Sequence, residues 1–340
     1  WPAIGDWHVG KPAGREGLAT ATTEDGSMWS FGGYNGQSSQ TYTNELFKLD
    51  AQTKQWTTLP ASGAAPSVRS AHAMTAVGLD LYLWGGVFTT LVSDEMWRYS
   101  TVKNEWLQLQ TTAGGASPSA RSHHAMTAVG SDLYLVGGGL PGAASPQLFD
   151  DVWRYSTVTN KWQLLGEGPM TEGVFPSGRR AHTMTAVGLD LYVFAGRSII
   201  VYECCPDAPL SDLWRYSTVT SEWLQLNTTK QGVSPGDPGG RASHAMTVVG
   251  PDLYLLGGEI ESAPGYQISN KYPDDLWRYS TVTNQWLQLE SGEAAGGASP
   301  SARSGHAMTA VGANLYVFAG HTFAGDMTND LWRYSTETNQ

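Results

Sequence analysis

Cysteine is nearly absent from this chain. Its 340 residues include two, Cys204 and Cys205, side by side, so no disulfide framework staples it. Charge is also scarce, at 15% of residues against a usual quarter. What charge there is runs acidic, to a formal net of −11. That balance argues against a nucleic-acid binder, which needs a basic surface to meet phosphate. No apolar run approaches the roughly 18 residues that a membrane-spanning helix requires. His-x-x-x-His and Cys-x-x-Cys spacings are missing too, which removes the commonest signatures of a zinc site. No catalytic residue, metal ligand or cofactor is assigned from the sequence. The sequon Asn227-Thr228-Thr229 leans the reading toward an extracellular protein, with a cytoplasmic adaptor as the alternative.

Glycine (40) and tryptophan (14) are plentiful. Glycine-rich turns between aromatic-rich runs point to many short strands, and the strands repeat. The string Leu276-Trp277-Arg278-Tyr279-Ser280 recurs from Met96, Val152, Leu213 and Leu331, with a diverged copy at Leu46. Ahead of each lies a copy of Asp252-Leu253-Tyr254-Leu255-Leu256-Gly257-Gly258, and ahead of that a copy of His244-Ala245-Met246-Thr247. A closing tryptophan follows at Trp56, Trp106, Trp162, Trp223 and Trp286, one for about every 50 to 60 residues. Each repeat therefore predicts four short strands, a to d. The last repeat stops after strand c, one position short of its tryptophan, whereas the first residue is Trp1. Residues 1–8 are accordingly expected to pair with 331–335 and supply the missing outer strand. A sheet ring that closes on itself leaves no open edge. The arithmetic gives six units in one domain, 1–340.

The Gly-Gly after strand b, followed by an aromatic and then by Trp, resembles the kelch repeat, and the likeness runs along the whole chain. Two copies depart mildly, reading Ala195-Gly196 and Ala319-Gly320. The resemblance implies an all-β, six-bladed kelch β-propeller with four antiparallel strands per blade and a channel lined by strand a. Copper radical oxidases built on this repeat need a Tyr crosslinked to a Cys; the adjacent pair Cys204-Cys205 before Pro206 fits that poorly.

Alternate connections of an antiparallel blade share one end. The a–b and c–d turns are short and uniform here. The b–c and d–a loops vary, and the long ones at 166–179, 197–211, 227–240 and 259–274 flank blades three to five. Variable loops on a rigid frame are where recognition concentrates, so a partner is expected on the b–c/d–a face, with Tyr202, Glu259 and Tyr266 on the loops.

An Arg-x-x-His entry to strand a offers a second candidate. It gives Arg15, Arg69, Arg121, Arg180, Arg241 and Arg303, with His72, His124, His182, His244 and His306 and with Leu18 in place of the first histidine. Arg180 needs its neighbour Arg179 to keep the spacing. Arginine forks suit carboxylate, sulfate or phosphate. One reading is an anion-binding channel mouth for an acidic peptide, since some kelch adaptors bind acidic motifs near this rim. The other is structural, with each Arg and His bonding backbone carbonyls between blades. The acidic residue before each strand c (Glu45, Glu95, Asp151, Asp212, Asp275, Asp330) is read as a local tie to loop backbone rather than a metal ring. Of the tryptophans outside the pattern, Trp7 lies beside His8 near the chain start, where a ligand contact is conceivable. An enzyme would need a unique acid or base, and Glu203, Glu259 and Glu261 are the candidates. The chain thus reads as a protein- or peptide-binding scaffold, with a carbohydrate or small-anion binder, or an architectural subunit, as alternatives.

Overall fold

In the computed structural model the described residues are 11–36, 41–50, 53, 55–60, 63–110, 115–140, 147–168, 175–198, 209–226, 236–260, 272–290 and 299–339. They form six antiparallel blades around an axis, with strands in the order a-b-c-d in five and a-b-c in the sixth. The first blade comprises Ala19–Thr22, Met28–Phe31, Leu46–Asp50 and Gln55–Leu59; the second Ala73–Val77, Asp80–Trp84, Met96–Ser100 and Glu105–Leu109. The third comprises Ala125–Val129, Asp132–Val136, Val152–Ser156 and Lys161–Gly166; the fourth Thr183–Val187, Asp190–Phe194, Leu213–Ser217 and Glu222–Leu226. The fifth comprises Ala245–Val249, Asp252–Leu256, Leu276–Ser280 and Gln285–Glu290, and the sixth Ala307–Val311, Asn314–Phe318 and Leu331–Ser335. The sixth has three strands among the described residues. The expected pairing of 1–8 with 331–335 lies outside them, as do Trp7, His8, Tyr202, Glu203, Cys204, Cys205, Asn227, Glu261 and Tyr266.

Sequence pattern and burial agree strand by strand. Strand b sits mid-sheet between two neighbouring blades, so Leu133, Tyr134, Leu135 and Val136 are all buried, as a strand covered on both faces should be. Strand d is covered on one side only: Trp286 points in and is buried, whereas the adjacent Leu287 points out and is exposed. The six hydrophobic clusters each span two neighbouring blades, including one that joins Phe318 of the sixth to Leu18 of the first. The core is therefore between blades rather than within them.

Two cyclic sets of backbone hydrogen bonds close the ring. In the inner set, here called the collar, Ala71 donates to Gly17 (2.8 Å), His123 to Ala71 (2.9 Å), Ala181 to His123 (2.9 Å) and Ser243 to Ala181 (2.9 Å). Gly305 then donates to Ser243 (2.9 Å), and Gly17 to Gly305 (3.0 Å), completing the circle. In the outer set the second glycine after strand b donates to the arginine carbonyl of the next blade, from Gly33→Arg69 (2.9 Å) round to Gly320→Arg15 (2.8 Å). That glycine has φ near +100°, as at Gly196 (94°) and Gly320 (109°), a region that side chains rarely enter. The first position, at φ 57° in Ala195 and 64° in Ala319, lies in the small left-handed region and admits alanine. This is why the two exceptions read Ala-Gly and not Gly-Ala.

The channel has a volume of about 340 Å³ and is walled by Met, Thr and Ala of strand a, including Thr75, Thr127, Thr185, Thr247 and Thr309. Thr22 and Thr309 join hydroxyls at 2.8 Å across the seam between first and last blades.

Four non-glycine collar residues, Ala71, His123, Ala181 and Ser243, hold φ of 52–56°. A left-handed alanine carries about 1 kcal/mol of strain, partly offset by the greater unfolded-state entropy of glycine. Ala71→Gly is expected to leave urea stability unchanged or raise it by up to about 1 kcal/mol, and Ala71→Val to lower it by about 1–2 kcal/mol, because a β-branched residue tolerates this region worst. A valine variant as stable as the parent would contradict the strained-collar account.

Candidate functional site

The arginine entering each strand a is buried, with at most 2% of its surface exposed, at Arg15, Arg69, Arg121, Arg179, Arg241 and Arg303. Its guanidinium turns into its own blade. Nη1 donates to the carbonyl of the residue ending strand b's turn: Arg69 to Gly85 (2.9 Å), Arg121 to Gly137 (3.0 Å), Arg179 to Ala195 (3.0 Å). Nε reaches back to a carbonyl two or three residues earlier, such as Ser67 (3.1 Å) or Pro238 (3.0 Å). The acidic residue ahead of strand c completes the set. Arg15 pairs with Glu45 at 2.9 Å, Arg69 with Glu95 at 2.5 Å, Arg179 with Asp212 at 2.8 Å, Arg241 with Asp275 at 2.8 Å and Arg303 with Asp330 at 2.6 Å. Arg121 pairs with Asp151 likewise; the four aspartates hold the guanidinium by two bonds and the two glutamates by one. In five blades the acid also accepts the indole N–H two residues on, as Trp153→Asp151 (2.8 Å) and Trp277→Asp275 (2.6 Å). Burial alone would raise the carboxyl of Asp212. The Arg179 guanidinium and Trp214 indole overcome it and hold the group below the ordinary carboxylate range.

This geometry favours the structural reading of the arginines over the anion-binding mouth. Arg15, Arg69, Arg121, Arg241 and Arg303 present no free donor fork at the mouth, because a charge this buried is stable only when paired. Arg180 is displaced from the set by Arg179, which follows Pro176 at the same three-residue distance as Arg69 follows Pro66. The acidic residues, for their part, bind arginine and indole side chains, and Asp212 and Asp330 also bond backbone locally.

The five histidines are also interior. His72, His124 and His244 stand edge-on to Phe31, Trp84 and Phe194 of the preceding blade, at 5.5, 4.9 and 5.5 Å. His244 shares a hydrogen bond with the Thr183 hydroxyl at 2.7 Å, and the rings of His72, His182 and His306 turn toward the backbone of Phe31, Val136 and Leu256 in the preceding blade. Burial first, then the adjacent arginine, drives His72, His182 and His306 down to about 3; His124 and His244 move the same way. These are neutral packing groups.

Above the collar stands a second tier, here called the crown. It is built from the residue after each arginine and the residue after each Gly-Gly, joined as antiparallel bridges: Glu16–Tyr34, Ser70–Val87, Ser122–Gly139, Arg180–Arg197, Ala242–Glu259 and Ser304–His321. The collar is alike in all six blades and the crown is not. Blades two and three contribute small side chains, blade four two arginines, and blades five, six and one Glu259, His321, Glu16 and Tyr34. Arg197 pairs with Glu259 at 3.2 Å. Tyr272 packs on His321 (6.0 Å between rings) and perpendicular to Phe323 (6.1 Å), and Tyr34 packs on Tyr42 at 5.2 Å. Of these, the sequence singled out Glu259 and Arg180. The others were detectable as positions where otherwise similar repeats differ. No group of three His, Cys, Asp or Glu arranged to hold a metal occurs among the described residues.

The family model described as the KLHDC2/KLHL20/DRC7 Kelch-repeats domain matches residues 5–196 and 238–340. A Thlaspi arvense protein named N-(sulfonatooxy)prop-2-enimidothioate sulfolyase is 28% identical, across 96% of this chain and 94% of that protein. Kelch domain-containing protein 3 of Homo sapiens is 26% identical across 74% of this chain and 63% of its own length. Host cell factor 2 of Homo sapiens is 26% identical across 99% of this chain but 44% of that protein. The chain thus spans about half to two thirds of the latter two.

The buried histidines set an acid limit. Between their ordinary value of 6.5 and about 3 the unfolded chain binds protons that the native state refuses. Stability therefore falls as pH drops through that window, each histidine adding up to about 1.4 kcal/mol per pH unit. Stability measured by denaturant at several pH values should decline steeply below about pH 6.5, and His306→Gln should lower the slope by about one proton. An unchanged slope would contradict the buried-neutral assignment.

Proposed function

This chain belongs to the kelch-repeat family of β-propellers, and from that premise we propose that it binds a protein or peptide partner on the b–c/d–a loop face, centred on the crown. The observation that carries the reading is where sixfold likeness breaks down. On the opposite face the blades keep one design, in which a threonine of the c–d turn bonds the a–b turn carbonyl: Thr157 to Ser131 (2.8 Å), Thr218 to Leu189 (2.7 Å), Thr281 to Pro251 (2.8 Å), Thr336 to Ala313 (2.9 Å). On the loop face the collar repeats and the crown changes from blade to blade. A rigid frame carrying unlike side chains on one face suits selective recognition, and kelch repeats commonly mediate protein–protein interaction. The channel walls among the described residues are Thr, Met and Ala, with Val248.

A second reading follows the Thlaspi relative, which matches this chain nearly end to end and whose name specifies a small sulfonatooxy substrate. The adjacent Arg180 and Arg197 of blade four favour a small anion taken at the crown. Photo-crosslinking separates the faces. With a photoreactive amino acid at Tyr34 or Phe323, the native partner should be labelled; at Val158 or Val219, on the tips of the opposite face, it should not. Labelling confined to the Val158 and Val219 sites would overturn the proposal, and labelling abolished by sulfate would favour the second reading.

A further inference from the structure

With all six strand-a arginines paired inside their blades, the charge that a ligand meets is that of the crown. On blades five, six and one it comprises Glu259, His321 and Glu16, with Arg197 of blade four beside Glu259. Arg197 is taken by Glu259. Glu16 is different. Its backbone is fixed by two hydrogen bonds with Tyr34, both 2.9 Å. Its side chain leans over the collar toward blade six, so closely that a Cβ built on Gly305 would stand 3.2 Å from the Glu16 Cβ and 3.3 Å from Oε2. Among the described residues, no Lys, Arg or His nitrogen comes within salt-bridge distance of its carboxylate. Partial burial, offset by His321 and reinforced by Glu259, raises its pKa. A carboxylate half removed from water, with no cation paired to it among the described residues, is an incomplete ion pair.

Aromatic faces flank it. Tyr34 and Tyr42 stand on the side of blade one. On the side of blade six stand His321, Tyr272 and Phe323, the last 68% exposed. A carboxylate between aromatic rings is the complement of an organic cation, which gains a charge-assisted hydrogen bond from the one and a cation–π contact from the others. The net charge of −11 would draw such a group in from solution.

Resting on the loop-face reading above, we propose that the crown between blades six and one receives an arginine or lysine side chain of the partner, seated on Glu16 and walled by Tyr34, Tyr272 and Phe323. The partner segment is therefore basic there, the reverse of the acidic motif that a free arginine ring would have selected. The position of the site at the seam explains why the first repeat departs from its siblings in carrying Glu16 and Tyr34 where blades two and three carry Ser, Val and Gly.

The methyl group of Met327 provides a reporter, because a Cβ built on Gly36, close to Tyr34, would stand 3.3 Å from it; the channel methionines serve as internal controls. Methyl NMR titration with N-acetyl-arginine amide should shift Met327 saturably and leave Met126 in place, with N-acetyl-glutamate amide inert. Glu16→Gln should weaken the titration about tenfold and Phe323→Ala about threefold, both with unchanged Tm; the exposed Phe323 carries the test should Glu16→Gln prove unstable. An equal response to the glutamate amide, or arginine-amide affinity unaltered in both variants, would overturn the proposal. If crosslinking from Tyr34 and Phe323 to the partner persisted in that event, the basic side chain alone would be wrong and the loop-face reading would stand.

Discussion

A guanidinium sealed into each blade and answered by a carboxylate is the interaction on which the rest of this structure depends. Through its side chain the arginine ties the entry of strand a to the start of strand c and caps the carbonyl at the Gly-Gly turn. Through its carbonyl it receives the N–H of the preceding blade's second glycine. One residue thus closes a blade and joins it to its neighbour. Removing either partner of such a pair leaves a buried charge unanswered, a cost of about 3–5 kcal/mol, so the charge pattern is held in place by the fold itself. The carboxylate's second bond, to an indole N–H in five blades, sets the orientation of the tryptophan that fills the wedge between blades.

Much of the architecture was legible because the repeats are nearly literal and because strand periodicity follows from burial. Strand b reads as a continuous apolar run, and the six recurrences of the strand-c string count the blades. Side-chain direction was not legible. The Arg-x-x-His spacing places both residues near the channel mouth, but whether a guanidinium turns outward to a ligand or inward to a carboxylate some 30 residues away depends on the b–c turn, which returns the acid beside it. The same turn explains the choice of Arg179 over Arg180. The proline three residues ahead fixes which arginine enters the blade, and the next residue rises into the crown. Glu16, Tyr34, Arg197 and His321 escaped notice for a related reason: they occupy positions that look like repeat noise until the bridges across the mouth bring them together.

The fold therefore separates a repeated frame from a variable tier by radius and height. Collar, glycine turns and ion pairs are repeated and carry stability, with their polar groups satisfied by one another. The crown above them is free to differ, because its side chains stand on backbone already bonded in place. On the proposed reading, recognition on such a surface costs little reorganisation, with selectivity carried by a few side chains. The uncharged channel beneath is a consequence of six strands packed edge inward.

The central claim, that the arginines of the collar are internal structural cations, is tested most directly by side-chain NMR of arginine-labelled protein. The account predicts six guanidinium groups whose Nη protons exchange slowly with water and whose resonances stay unmoved when the partner binds. Fast exchange at those six groups, or their movement on partner binding, would contradict it and return the ligand to the arginine ring.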